Sequence, residues 1–252
     1  MKRLFSVPLT ALALSLTAFA GNEQVAALLA KGDAFDQQSK TQEALAAYLE
    51  AEKNGGSDAE LLRKIAREYA MTMPDVSAKT EKLALGEKSV DYARRAVAAD
   101  PKNALAQLAL AICYGRIAPL LDNRTRIAYS KLVKEHAEQS IALDASNDYA
   151  FHVLGAWHYE MTSLNPVLRT VAKVIYGAFP PASYEDAAKN FKKAISLAPT
   201  RVAHHVELGR TYAATGEKEL ARAELNKGLA LPSREKDDAE TKQRARDALA
   251  KL

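Results

Sequence analysis

Val202–Ser233 reads VAHHVELGRTYAATGEKELARAELNKGLALPS, and its spacing decides the fold. With Val202 as position 1, Leu208 and Gly209 fall at 7 and 8, Tyr212 at 11, Ala221 at 20, Leu225 at 24 and Gly228 at 27. Large and small apolar residues that recur every three or four positions line one face of a helix. Two such runs are separated here by Thr215-Gly216. Glycine tolerates the left-handed conformation that ends helices, so the pair predicts a helix–turn–helix hairpin. Gly209 and Ala221 are small where the two helices must cross closely, while Tyr212 and Leu225 fill the space beside them.

The same template slides backwards along the chain. A first hairpin starts near Val25, with Leu28, Gly32, Phe35, Ala44, Tyr48 and Ala51 in register and Lys31 at a usually apolar position. A second starts near Ala59 and resumes over 82–99, with an insertion around Met73-Pro74-Asp75. A third starts near Ala104, with Leu110, Ala111 and Tyr114, then Val133, Ala137 and Ser140, and an insertion around Pro119–Arg124 where Asp122-Asn123 suits a helix cap. A fourth joins Leu154-Gly155 and Trp157 to a partner helix over 184–198. This spacing resembles the tetratricopeptide repeat (TPR), a 34-residue unit of two antiparallel helices. The expected fold is all-α: a TPR-like α-solenoid of about five helix hairpins.

Two segments depart from the repeat. Within Met161–Tyr184, Pro166 fits a first helical turn and Val167, Leu168, Val171, Ala172 and Ile175 share one face. This predicts an inserted helix over 166–177, laid across the stack and ended by Phe179-Pro180-Pro181. Arg234–Leu252 is charged, with a sparse apolar stripe of Ala239, Ala245 and Leu249, as expected of a C-terminal capping helix.

The N-terminus has a different character. Lys2 and Arg3 precede an apolar run over Leu4–Leu16, and Ala18-Phe19-Ala20 places small residues where a signal peptidase reads. We expect a secretory signal over 1–20, cleaved before Gly21, and a repeat domain over 21–252. An uncleaved anchor is the alternative, because Leu4–Ala20 lies at the lower edge of the spanning range. The expected location is periplasmic or secreted, with no transmembrane span after cleavage.

Of 35 Lys plus Arg, removal of Lys2 and Arg3 leaves 33 against 31 Asp plus Glu. With no basic block or aromatic–basic interleaving, nucleic acid is not an expected partner. The single cysteine, Cys113, excludes an intramolecular disulfide and lies in a helical apolar pattern that points to the core.

More specific still is LGAWHYEMTSLNPVLRTVAKVIYGAFPPASYEDAAKNFKKAISLAP, followed by LGRTYAATGEKELARAELNKGLALP. The Leu-Gly–Trp–Tyr helix, the inserted apolar helix and the Ser-Tyr-Glu-Asp-Ala turn resemble the regulator of microtubule dynamics family, over about Asp148–Pro232. Eukaryotic members of that family are associated with mitochondria and microtubules, and one is linked to lipid binding. The resemblance implies the repeat architecture, an apolar groove and no catalytic residue.

No constellation of residues announces chemistry. His152 and His158 are six apart and point to different faces of one helix. Asp148 and His152 are four apart and either share a ligand or pair with each other. His204 and His205 are adjacent and diverge. Without H-x-x-x-H spacing or cysteine support, no metal site and no cofactor is expected. No phosphate loop or nucleophile elbow is present, so the chain is not expected to be an enzyme.

The remaining candidate is the concave surface. Inward positions of the first helices give Arg63 and Arg67 in the second repeat, and Leu105, Leu108, Ile112 and Arg116 in the third. They give Tyr149, His152 and Tyr159 in the fourth, and Arg210 in the fifth. An apolar centre with arginine on either side suits a protein or peptide partner, since Arg grips carboxylates with two hydrogen bonds. The competing reading is that the leucines pack beneath the inserted helix and the arginines form a solvated rim. A second function, of a different class, is a carrier of lipid or another apolar small molecule, with helix 166–177 covering the cavity.

Overall fold

A computed structural model describes the backbone of residues 10–252 and the side chains from Glu23 onward. The first nine residues of the expected signal, and the side chains of the rest of it, lie outside the described residues. Twelve α-helices and no strand are found among the described residues: α1 (Thr10–Asp36), α2 (Thr41–Lys53), α3 (Ala59–Thr72), α4 (Lys79–Ala99), α5 (Ala104–Ile117) and α6 (Asn123–Leu143), then α7 (Asp148–Thr162), α8 (Pro166–Tyr176), α9 (Tyr184–Leu197), α10 (Val202–Thr215), α11 (Lys218–Ala230) and α12 (Asp238–Leu249). Five antiparallel hairpins form, α1/α2, α3/α4, α5/α6, α7/α9 and α10/α11, each packed on the next, with α12 against α10 and α11. This is a TPR-type α-solenoid. No described helix is long and apolar enough to cross a membrane.

Local chemistry explains the boundaries. The side chains of Asp58, Asn103, Asp122, Asn147, Asn165 and Ser183 each accept a backbone N–H at the start of their helix. They satisfy donors that a helix N-terminus otherwise leaves unpaired. The insertions become short 3-10 turns, Met73–Asp75 and Ala118–Leu120, and 21-residue helices α4 and α6. Gly216 ends α10 at φ +83°, in the left-handed region. Gly209 lets α10 and α11 cross closely: a Cβ there would stand 2.7 Å from Leu225 Cγ and 3.0 Å from the Leu225 backbone N.

The core runs along the whole stack. Its largest part joins Ile117, Ile127, Trp157 and Met161 to Leu168 and Ala172 of α8. The inserted helix packs on α6, and Tyr176 accepts a hydrogen bond from Trp157 Nε1 at 3.2 Å. Its other face leaves Val167 and Val174 exposed.

Candidate functional site

The concave face holds a cleft of about 530 Å³. Met71 of α3 and Leu105, Leu108, Ala109 and Ile112 of α5 supply its apolar floor. Leu108 is buried, whereas Leu105 remains 46% exposed although it is large and apolar. Arg63, Arg67, Arg116 and Tyr149 stand on the walls. Seven of the ten residues expected at the site therefore come together: Arg63, Arg67, Leu105, Leu108, Ile112, Arg116 and Tyr149.

The other three do not line the cleft. His152 lies one turn beyond Tyr149, in the interface between α7 and α10. There its Nδ1 lies 3.0 Å from His204 Nδ1, and its ring stacks on Tyr149 at 4.8 Å between centroids. Tyr159 and Arg210 stack on one another, with the guanidinium 5.2 Å from the ring centroid, and Arg210 pairs with Glu207 at 2.7 Å. The cleft ends near the start of α7, so inward positions further along α7 and α10 meet each other instead. The inserted helix is displaced as well. None of its residues lines the cleft, because α8 packs its apolar face on α6 and α7. Helix 166–177 is not the cover that the carrier reading requires.

What crosses the cleft is the connection between α11 and α12, which repeat periodicity does not anticipate. Glu235 and Asp238 form a turn: Asp238 N–H donates to the Glu235 carbonyl at 3.1 Å, and Asp238 Oδ2 accepts from the backbone N–H groups of Arg234 and Glu235 at 2.7 and 2.8 Å. Glu235 Oε1 lies 3.2 Å from Arg201 Nε, and Asp237 Oδ2 lies 3.2 Å from Arg116 Nη2. Between them Lys236 Nζ donates to Thr41 Oγ1 at 3.0 Å, the Met71 carbonyl at 2.8 Å and Asp75 Oδ2 at 2.7 Å. Carboxylate oxygens of Glu235, Asp237 and Asp238 lie within 4.8 Å of one another, but each is already engaged by these partners.

The electrostatics of the walls are strongly paired. Arg63 grips Glu60 through two hydrogen bonds, so it is held at the edge rather than free in the cleft. Arg67 pairs with Asp36 and, at 2.6 Å, with Glu68, whose side chain is almost fully buried. Burial pushes the Glu68 carboxyl up to about 7, with Arg67 pulling against it and Asp36 adding to the rise. Arg201 bridges Asp148 at 3.3 Å and Glu235. Burial alone would raise Asp148, but its hydrogen bond from His204 at 2.8 Å and the charge of Arg201 hold it below the usual range. His204 and His152 are both held below the usual imidazole range, first by burial, and His152 further by its neighbour His204. The expected pairing of Asp148 with His152 is thus mediated by His204, which joins them across two hairpins. One donor is left over: Asn147 lines the cleft, and its buried Nδ2 has no partner among the described residues.

Sequence reasoning missed Arg201 and residues 234–237. The only signal for the turn was the alternating charge of Arg234-Glu235-Lys236-Asp237 directly after Pro232-Ser233. That pattern suited a solvated cap equally well.

Comparison with known proteins agrees with the architecture. Residues 28–252 match the family described as Regulator of microtubule dynamics protein 1-3. Regulator of microtubule dynamics protein 1 of Mus musculus is 28% identical over 234 residues, covering 91% of this chain and 75% of the mouse protein. Regulator of microtubule dynamics protein 3 of Xenopus laevis is 27% identical over 223 residues, covering 87% of this chain but 48% of its own length. The chain thus spans between about half and three quarters of these two relatives. A thermophilic TPR protein of Thermus thermophilus superposes with a TM-score of 0.64 at 17% identity, covering 90% of this chain and 99% of its own.

Proposed function

The chain belongs to the regulator of microtubule dynamics protein 1-3 family, and we propose on that premise that it is an exported, non-catalytic TPR scaffold holding a protein or peptide partner in its concave groove. One observation carries the reading. Leu105 is half exposed on an apolar floor, beneath walls that carry Arg116 and Arg201. An apolar centre ringed by hydrogen-bonding groups is the usual chemistry of a binding cleft, and the volume falls in the range of such sites. Arginines suit the carboxylates of a peptide.

The test is selection of a random peptide library on the immobilised protein, with Leu105→Glu as the comparison. Leu105 is the usable probe because its exposure lets a charge enter without unfolding the core, whereas Leu108→Glu would bury one. Retained peptides that are lost on Leu105→Glu support the groove. Retention unchanged by Leu105→Glu removes the groove from consideration. Native mass spectrometry of the exported protein covers the carrier reading, since added mass that leaves on denaturation would identify a bound small molecule instead. Export itself rests on residues 1–20, and N-terminal sequencing of the mature protein is expected to begin at Gly21.

A further inference from the structure

A turn of the chain's own making crosses the cleft. It is a preformed unit, closed on itself by Asp238 and the Glu235 carbonyl, so its shape does not depend on the groove. It reaches the walls only through side chains: two carboxylates on Arg201 and Arg116, and one ammonium in the notch formed by Thr41, Met71 and Asp75. Both arginine pairs are partly exposed and single-pronged, the kind of ion pair that is weak and screened by salt. When the turn lifts, Arg116 is left with no carboxylate, and Arg201 retains only Asp148.

We propose that the Glu235-Lys236-Asp237 turn is an internal occupant of the groove, and that the groove's partner is an acidic peptide segment that displaces it by offering its own carboxylates to Arg116 and Arg201. This rests on the groove being the binding face. The exchange replaces carboxylate with carboxylate, so it needs no uncompensated charge in the cleft. It makes binding competitive with the chain's own turn. A peptide carrying two acids is thereby favoured over a neutral or basic one, for which the turn would have to leave without replacement.

The experiment uses fluorescein-labelled PSREKDDAE, the sequence of residues 232–240, as a probe added in trans and followed by anisotropy. The full chain is compared with the variant Glu235→Gln, Lys236→Ala, Asp237→Asn, which keeps Asp238 and the start of α12. The variant is expected to bind the probe at least about tenfold more tightly than the native chain, a difference of about 1.4 kcal/mol. Adding Arg116→Gln and Arg201→Gln is expected to abolish that gain. Circular dichroism reports whether the triple variant folds, and Lys236→Met alone carries the same comparison if it does not. Equal affinity for native and variant chains overturns the proposal, as does a gain that survives loss of both arginines. Library peptides that bind both chains equally, with no gain for the acidic probe, overturn it while leaving the groove reading standing. No binding of library or probe to either chain overturns both.

Discussion

Replacing Glu68 with glutamine isolates the electrostatic character of the groove wall in a single stability measurement. Glu68 lies on α3 with its carboxyl almost wholly removed from water, and its affinity for a proton is raised from the ordinary 4.5 to about 7. A folded-state value above the unfolded one contributes stability that is fully present below about 4.5 and is lost as pH rises through about 7. At about pH 4 the native carboxyl is protonated and close in size and charge to the amide, so the two chains should unfold within a few degrees of each other. By about pH 8.5 the native chain must hold a buried carboxylate that glutamine avoids. Raising the carboxyl from 4.5 to about 7 corresponds to about 3 kcal/mol. For a chain of this size that is a relative rise in midpoint of about 6 to 12 °C for Glu68→Gln. Thermal unfolding followed by circular dichroism across this pH range measures it, and the histidines cancel because both chains carry them. A difference that stays flat with pH, or that grows in favour of the native chain, would refute the reasoning. It would mean that the 2.6 Å pair with Arg67 outweighs desolvation.

Gly209→Ala should lower stability by about 1–2 kcal/mol, the overpacking cost against Leu225 less the gain in helix propensity. Gly115→Ala, where a Cβ meets nothing closer than 3.9 Å, should be neutral or mildly stabilising in the same urea titration; equal effects at the two sites would dismiss the crossing argument. His152 and His204 have folded values held below 6.5, so they contribute stability above that value that is lost as pH falls, and imidazole NMR should show both titrating below the ordinary histidine range. A normal titration of either would contradict the buried Asp148–His204–His152 chain. Burial raises the Cys113 thiol to about 11, so a thiol reagent should label it only after denaturation, and rapid native labelling would be inconsistent with the core placement.

The repeat was legible because its crossing points demand small residues at fixed intervals. Gly209 against Leu225 and Gly155 against Phe191 are direct readings of one rule. The same periodicity carried Leu105, Leu108, Ile112 and Arg116 to the cleft, since all four lie on one helix with a known inward face. It failed for His152, Tyr159 and Arg210, because inward positions near the end of the cleft are taken up by a neighbouring helix. It could not reach the turn at all. No local pattern encodes a lysine whose partners, Thr41 and Met71, are 195 and 165 positions away. Nor could the helical face over 166–175 reveal that α8 would pack on Trp157 and α6 rather than over the groove.

The reach of Lys236 also alters how the chain comes apart. In an open repeat array each unit touches only its neighbours, so terminal units fray without disturbing distant ones. Here the last connection is fastened to the first and second hairpins through Lys236, so loosening of one terminal region is felt at the other for as long as the turn is seated. Amides of α2 and α3 should therefore exchange with solvent at rates that track those near the turn. Seating the turn also brings together segments almost two hundred residues apart, a closure that comes late in a topology built otherwise from local contacts.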